Sequence, residues 1–224
     1  MAIDLVIFDC DGVLVDSEAL ACRVDLEELT ADGITTLSLE EIIRRFSGVP
    51  QMEMVREIEQ ETGLKVRPDF ASRVQSRVEE LMRSSLQAMP GADTALSEIR
   101  LSKCVASSSA PSKLDLALTV SGLKRHFDPH IFSAHAVDRG KPAPDLFLHA
   151  AERMGVVPSR CCVVEDSIAG VSAGIAAGMK VIGFVGGSHC LNGQANVLRA
   201  LGAEIVVDHW TSLPKVVGAL RQSA

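Results

Sequence analysis

Short apolar runs, each ended abruptly by polar side chains, alternate along the chain with helix-like stretches. The first run, residues 3–8, reads IDLVIF and is rich in branched side chains, as expected for a strand buried on both faces. Further strands are predicted at 104–106, 161–164, 181–185 and 205–207. Helices are predicted at 93–100, 112–121, 144–154, 169–177 and 194–201. This alternation predicts an α/β fold with a doubly wound parallel sheet.

Residues 17–89 break this rhythm, because they contain helical patterns and no convincing strand. The helical patterns lie at 18–32, 38–46, 51–62 and 68–86. The segment is therefore predicted to be a helical domain inserted between the first two strands. Met89, Pro90 and Gly91 suit the point of return, since Pro and Gly punctuate secondary structure. The predicted domains are a core of residues 1–16 plus 90–224 and an insertion of residues 17–89.

The composition narrows the class of function. With 22 basic and 29 acidic residues, the 224-residue chain has a formal net charge of -7. Nucleic-acid binders need a surplus of basic residues, so we expect no nucleic-acid partner. Six cysteines without a CxxC pair indicate reduced thiols. The short apolar run at the start has no basic leader, so we expect a cytoplasmic protein with no membrane partner, and a monomer or weak dimer.

Two carboxylates follow the first predicted strand. Asp9 and Asp11 are two residues apart, and Gly12 permits a sharp turn after them. In doubly wound sheets, ligands bind at the carboxyl ends of the strands, so both acids are expected near the site. Their repulsion is relieved by a shared proton or a cation. Mg²⁺ prefers oxygen ligands, and no Cys or His cluster competes for it.

Polar residues also end the later strands. Glu165 and Asp166 form a second acidic pair, and Ser107, Ser108 and Ser109 offer hydroxyl groups near the start of a helix, suited to phosphate oxygens. Lys141 lies between Gly and Pro residues and would neutralise both the carboxylates and a phosphate. Alternative interpretations remain open, because either acidic pair alone is also typical of a turn or a helix cap, and the serines of a polar loop.

The segments FDCDGVLVDSE, GKPAPDLF and VVEDSIAGVSAGIAAGM resemble motifs of the haloacid dehalogenase superfamily, and in particular of its β-phosphoglucomutase-like branch. The resemblance covers the core from residue 3 to about residue 187. It implies a Rossmann-like core, with residues 17–89 in the position of the family's helical cap. It also implies a Mg²⁺-dependent hydrolase whose partner is a small phosphorylated metabolite.

The resemblance further implies roles for individual residues. Asp9 would be the nucleophile and Asp11 the acid/base, while Ser107 would bind the phosphate and Lys141 would hold nucleophile and phosphate together. The implied metal ligands are Asp9, Asp11 through its backbone carbonyl, Glu165 and Asp166. The expected substrate contacts are Gly48, Gln51, Ser107, Ser108 and Lys141.

Mutases and phosphatases of this branch differ mainly in the cap. Mutases resembling this chain have a His near the position of Ala21 and basic residues in the cap loop, where this chain has Ser47 and Gln51. A bisphosphate intermediate requires positive charge there, so water is the expected acceptor and phosphatase the expected activity. A phosphomutase and a non-catalytic binding module remain the alternatives.

A substrate with a second negative group fits a further feature of the cap. Arg44, Arg45 and Arg56 lie close together in sequence and offer a substitute anion clamp. A sugar-acid phosphate such as 6-phosphogluconate, or phosphoglycolate, would suit such a clamp.

Overall fold

The computed structural model describes residues 2–47 and 49–222. In these residues, six strands form one sheet: β1 (Leu5–Phe8), β2 (Ser102–Ser107), β3 (Ile131–Ser133), β4 (Cys161–Glu165), β5 (Lys180–Phe184) and β6 (Ile205–Val207). Their spatial order is β3-β2-β1-β4-β5-β6, and all neighbours are parallel. The chain winds outward in one direction from β1 and in the other from β4. The predicted doubly wound α/β class is therefore confirmed.

The chain divides into two compact units, Ser17–Leu86 and the combination of Met1–Asp16 with Gln87–Ala224. The first unit contains α1 (Ser17–Ala31), α2 (Leu39–Phe46), α3 (Gln51–Thr62) and α4 (Phe70–Ser85). The second contains the sheet with α5 (Ala92–Glu98), α6 (Pro111–Val120), α7 (Asp145–Arg153), α8 (Ile168–Ala176), α9 (Gln194–Ala200) and α10 (Leu213–Gln222). We call them the cap unit and the core unit.

Apolar side chains cover both faces of the sheet in the core unit. On one face, Ile7 and Val163 are packed in a buried cluster with Phe147 of α7. On the other face, the ring of Phe8 stacks on that of Trp210, with centroids 5.5 Å apart. Each such buried apolar side chain contributes about 1.5 to 3 kcal/mol. This double burial explains why the strands read as continuous apolar runs.

Two elements of the core unit were missed by the sequence analysis. The strand Ile131–Ser133 has only three residues and lies at an edge of the sheet, where it has one neighbour. Its run is too short to produce a periodic signal. The helix Leu213–Gln222 contains Pro214 and Gly218, which weaken a helical pattern. Pro214 is tolerated because it occupies the first turn, where backbone N–H groups lack helical partners.

Helix α2 of the cap unit illustrates how local sequence sets an element's boundary. The Ser38 side chain accepts a hydrogen bond from the backbone of Glu41, and the Glu41 carboxylate accepts one from the backbone of Ser38. This capping box satisfies two otherwise unpaired N–H groups. The helix α1 contacts both α2 and α4, and buries Val24 and Leu29.

Candidate active site

The carboxyl ends of the two central strands lie side by side. Phe8 is paired with Val164, and the backbone N–H of Asp9 donates to the carbonyl of Val164 at 3.0 Å. This register places Asp9 beside Glu165, the last residue of β4, and Asp166 follows. One carboxylate oxygen from each of these three buried acids lies within 4.8 Å of the others. The sheet thus brings together acids that are far apart in sequence.

Lys141 connects two of these acids. Its Nζ lies 2.6 Å from both Asp9 Oδ1 and Glu165 Oε1, and it donates to the carbonyl of Ala106 at 3.1 Å. The side chain is only 4% exposed, and its Nζ lies 4.8 Å from the centroid of the Phe147 ring. Burial by itself lowers the pKa of Lys141, but the charges of Asp9 and Glu165 outweigh it and raise that pKa above its ordinary value. The ammonium therefore stays charged.

Glu165 has donors on both carboxylate oxygens. Oε1 accepts from Lys141, whereas Oε2 accepts from the backbone N–H groups of Asp166 and Ser167, both at 2.9 Å, and from the Ser167 hydroxyl at 3.0 Å. The side chain therefore orients Lys141 and joins β4 to the start of α8. In its predicted role as a metal ligand, Glu165 would bind the ion through an oxygen that already accepts a hydrogen bond.

Asp11 contacts the loop that follows β2. Its Oδ2 accepts from the Ser109 hydroxyl at 2.6 Å and lies 3.5 Å from the Ser107 hydroxyl, and its Oδ1 lies 3.0 Å from Lys113 Nζ. The Ser107 hydroxyl in turn accepts from the backbone N–H of Ser109 at 3.1 Å. The two predicted residues Asp11 and Ser107 are thus brought together, with Ser109 between them.

Asp166 is buried against the loop after β5. Its Oδ2 lies 2.7 Å from His189 Nε2, and its backbone carbonyl accepts from Gln194 Nε2 at 2.9 Å. The backbone of Gly12 also approaches it closely. Gly12 has a φ of 81°, and a Cβ at this position would lie 2.0 Å from Asp166 Oδ2. Only glycine combines this left-handed conformation with this contact.

The site carries an excess of negative charge. Four carboxylates face the ammonium groups of Lys113 and Lys141 and the imidazole of His189. Burial lowers the pKa of His189, but the hydrogen bond to Asp166 outweighs it and raises that pKa to about 11, so full ionisation leaves a net charge of -1. Burial raises the pKa of Asp9 well above its ordinary value, Lys141 opposes this rise, and the neighbouring carboxylates add to it. A divalent cation would offset the negative charge of the carboxylates, and carboxylate oxygens suit Mg²⁺. The residues present therefore fit such an ion.

Some predicted substrate contacts are not part of this cluster. The side chain of Ser108 is exposed, and among the serines after β2 it is Ser109 that contacts Asp11 through its hydroxyl. Gly48 lies outside the described residues. Gln51 belongs to the cap unit, where its Nε2 donates to Asp25 Oδ1 at 2.7 Å.

The suggested arginine clamp is weakened by ion pairs within the cap unit. Arg45 lies 2.7 Å from Glu57 and 2.6 Å from Glu61, so two carboxylates already neutralise its charge. The side chain of Arg56 donates to the carbonyl of Met52, one turn earlier in the same helix. Arg44 is exposed.

Two residues near the site were missed by sequence reasoning, Lys113 and His189, whereas Ser109 was considered together with Ser107 and Ser108. Residues two apart in an extended segment share a face, as Ser107 and Ser109 do here. Lys113 lies in the first turn of α6, close to the end of β2, which is a weaker signal. His189 follows β5 in a loop without a motif, and only the tertiary structure brings it to Asp166.

Comparison with known proteins identifies the family. The chain matches the model of haloacid dehalogenase-like hydrolases over residues 3–178. It is 37% identical over 188 residues to the 6-phosphogluconate phosphatase of Escherichia coli strain K12, covering 84% of this chain and 85% of that protein. It is 31% identical over 211 residues to the phosphorylated carbohydrates phosphatase of Thermotoga maritima, covering 91% and 94% respectively.

Solved structures agree with this result. A haloacid dehalogenase-like protein of unknown function from Agrobacterium tumefaciens superposes with a TM-score of 0.92 at 39% identity, covering 99% of this chain and 100% of that one. A protein from Thermotoga maritima, provisionally named β-phosphoglucomutase, superposes with a TM-score of 0.78 at 29% identity, covering 97% and 99%.

The doubly wound sheet, its buried acidic cluster and these relatives define an enzyme that hydrolyses phosphoric monoesters. The chain belongs to the haloacid dehalogenase-like hydrolase family. Its structural neighbours include a protein of the β-phosphoglucomutase type, as the sequence motifs indicated. Among the helices of the described residues, none has the length and apolar character needed to cross a membrane.

Proposed function

We propose that this protein is a cytoplasmic, Mg²⁺-dependent phosphatase that hydrolyses a sugar phosphate or sugar-acid phosphate through an aspartyl-phosphate on Asp9. One observation carries the proposal. The Lys141 ammonium lies 2.6 Å from both Asp9 and Glu165 within a buried acidic cluster whose net charge calls for a divalent cation. The sugar-phosphate class is supported by the relatives named 6-phosphogluconate phosphatase and phosphorylated carbohydrates phosphatase.

Three groups are proposed to hold the ion. They are side-chain oxygens of Asp9 and Asp166 and the backbone carbonyl of Asp11, while Glu165, engaged at both oxygens, orients Lys141. When bound, the ion would stabilise negative charge on the transferring phosphoryl group. Without a cation, burial and the repulsion of the neighbouring carboxylates keep the pKa of Asp9 raised, which disfavours the ionised nucleophile.

The proposed reaction has two in-line transfers. A carboxylate oxygen of Asp9 attacks phosphorus, the bond to the sugar oxygen breaks, and Asp11 donates a proton to that leaving oxygen. Asp11 then takes a proton from water, the water oxygen attacks phosphorus, and the bond to Asp9 breaks to release phosphate. Ser107 and Lys141 donate hydrogen bonds to phosphoryl oxygens and hold the group in place.

The specificity of the reaction is proposed to depend on the cap unit. Gly48 and Gln51 remain the predicted contacts there, and Ser108 remains a predicted contact of the core unit. Because Gln51 is uncharged, it does not supply the positive charge that a second phosphate would need. Water is therefore the proposed acceptor of the phosphoryl group.

A phosphate-release assay with a panel of sugar phosphates and Mg²⁺ tests the proposal. Glucose 6-phosphate and 6-phosphogluconate form a matched pair, because they differ in oxidation state at C1 and in the negative charge of the resulting carboxylate. We expect the natural protein to release phosphate from at least one of these substrates. We expect Asp9→Asn and EDTA each to abolish this release. For Asp11→Asn, we expect intact-mass analysis to detect a trapped phosphoryl group, because this variant lacks the base for the second transfer.

Other outcomes would change the assignment. Release that survives Asp9→Asn contradicts the proposed nucleophile. Conversion to an isomeric sugar phosphate without free phosphate favours the phosphomutase, and Mg²⁺ binding without any turnover favours the non-catalytic module. Equal turnover of the matched pair would remove the support for an acidic substrate.

A further inference from the structure

His189 is a buried imidazole that the proposed reaction does not use. Its side chain is 5% exposed and its Nε2 lies 2.7 Å from Asp166 Oδ2. An ionised carboxylate only accepts hydrogen bonds, so the geometry assigns the N–H to Nε2. The other ring nitrogen, Nδ1, is buried and has no hydrogen-bond partner among the described residues.

Two glycine residues lie against the imidazole ring of His189. A Cβ at Gly12 would lie 2.8 Å from His189 Cε1, and a Cβ at Gly187 would lie 2.5 Å from the same atom. The imidazole therefore occupies a narrow space between the loop after β1 and the loop after β5. These two loops are also joined where the backbone N–H of Ser188 donates to Asp16 Oδ1 at 3.2 Å.

The loop and the helix that follow β5 hold Asp166 at two places. His189 contacts its carboxylate, whereas Gln194 donates to its backbone carbonyl at 2.9 Å. Burying a ring nitrogen without a hydrogen bond lowers the free energy of unfolding. An apolar side chain of similar size would fill the same space without this loss of stability. The hydrogen bond to Asp166 accounts for a histidine at this position.

We propose that His189 is a positioning residue that fixes the carboxylate of Asp166 in the orientation in which it binds the divalent cation. The inference deepens the proposed function and rests on it. A carboxylate free to rotate would have to be ordered when the ion binds, and the hydrogen bond from His189 removes that requirement. Hydrogen-bond partners of metal ligands typically change metal affinity by about 10- to 100-fold when they are removed.

The test compares three substitutions in the full-length protein. His189→Phe keeps a ring but has no donor. His189→Gln places an amide nitrogen at about the reach of Nε2, whereas His189→Asn is one methylene shorter and does not reach Asp166. The probes are Mg²⁺ in calorimetric titration and Mn²⁺ in electron paramagnetic resonance. The melting temperature in EDTA reports any purely structural effect.

We expect His189→Phe and His189→Asn to weaken metal binding by about 10- to 100-fold, and His189→Gln to stay within a few-fold of the natural protein. A control is His126→Phe, which removes the imidazole that contacts Asp93 elsewhere in the core unit and should leave metal affinity unchanged. If His189→Phe does not fold, the comparison between Gln and Asn still decides.

Two results would overturn the inference. One is unchanged metal affinity in His189→Asn, whatever its melting temperature. The other is an equal loss of affinity in the Gln and Asn variants together with equal loss of stability in EDTA, which indicates packing alone. These results differ from failure of the proposed function, in which the natural protein binds no Mg²⁺ or releases no phosphate.

Discussion

Gly170 of α8 lies so close to Glu165 that a Cβ at Gly170 would be 1.8 Å from Glu165 Oε1. The carboxylate has no room to yield, because Lys141, two backbone N–H groups and the Ser167 hydroxyl hold it. The absence of a side chain at Gly170 is therefore a condition for the position of Lys141.

Gly170→Ala tests this relationship. We expect overpacking to cost about 1 to 3 kcal/mol of unfolding free energy, and displacement of Lys141 to lower kcat/KM by about 100-fold. Gly218→Ala is the matched control, since Gly218 is also helical and has open space around it. Gly218→Ala should raise the free energy of unfolding by about 0.5 to 1 kcal/mol and leave the activity unchanged. Denaturant unfolding and phosphate release measure both effects, and equal behaviour of the two variants would refute the argument.

Lys141→Met should leave Asp9 and Glu165 facing each other without their cation. Removing one partner of a buried ion pair costs about 3 to 5 kcal/mol of stability, so we expect the free energy of unfolding in EDTA to fall by that amount. We also expect the activity to be lost. Lys113→Met is the comparison, because Lys113 is 32% exposed and contacts Asp11 at the edge of the cluster. Lys113→Met should lower the free energy of unfolding by less than about 1 kcal/mol. Equal losses from the two substitutions would contradict this difference.

Ser109→Ala should affect the proposed acid/base. Its hydroxyl donates to Asp11 Oδ2 at 2.6 Å, so its removal leaves Asp11 less well oriented. We expect kcat to fall roughly 10-fold, a part of the 10²- to 10⁴-fold that a positioned acid/base contributes. The neighbouring Ser108→Ala removes an exposed side chain that is a predicted substrate contact, so it should raise KM and leave kcat within about 2-fold. A fall in kcat at Ser108 as large as that at Ser109 would contradict this difference.

Asp25 should make the stability of the cap unit depend on pH. Burial raises the pKa of its carboxyl from about 3.8 to about 6, although the Gln51 hydrogen bond opposes this rise. Because the folded pKa is higher than the unfolded one, the contribution of Asp25 is full below about pH 4 and is lost as pH rises through 6. That loss corresponds to about 2 to 3 kcal/mol.

Asp25→Asn keeps an acceptor for Gln51 and cannot ionise. Relative to the natural protein, it should therefore gain stability at pH 7.5 and gain little at pH 4, as measured by denaturant unfolding at both values. Asp115→Asn provides the control, because Asp115 is an exposed partner of Lys124 and its substitution should change the free energy of unfolding by less than about 1 kcal/mol at either pH. A pH-independent effect of Asp25→Asn would rule out ionisation as the cause.

The sequence anticipated the main elements of the sheet and the residues at its carboxyl edge. Asp9 and Lys141 are 132 residues apart, yet both were assigned to one site because strands and crossovers of a doubly wound sheet bring their ends together. In the cap unit, the predicted helix 51–62 has the bounds of α3, Gln51–Thr62. These features follow from local periodicity and from chain topology.

Other features depend on contacts that have no periodic signal. Residues Ile131–Ser133 form a strand because they pair with β2. A segment of three residues has no strong secondary-structure preference of its own. The Ser109 hydroxyl contacts Asp11 whereas the side chain of Ser108 is exposed, and this difference depends on how the loop after β2 turns.

By itself, the sequence determined the α/β class and predicted a helical insertion and an acidic site, because apolar runs and motif residues are local properties of the chain. Only the tertiary structure decided that Glu165 is held at both oxygens, that Gly170 gives it room and that His189 reaches Asp166. These relationships are distances between atoms from separate loops and helices, and packing sets such distances to within a fraction of an ångström.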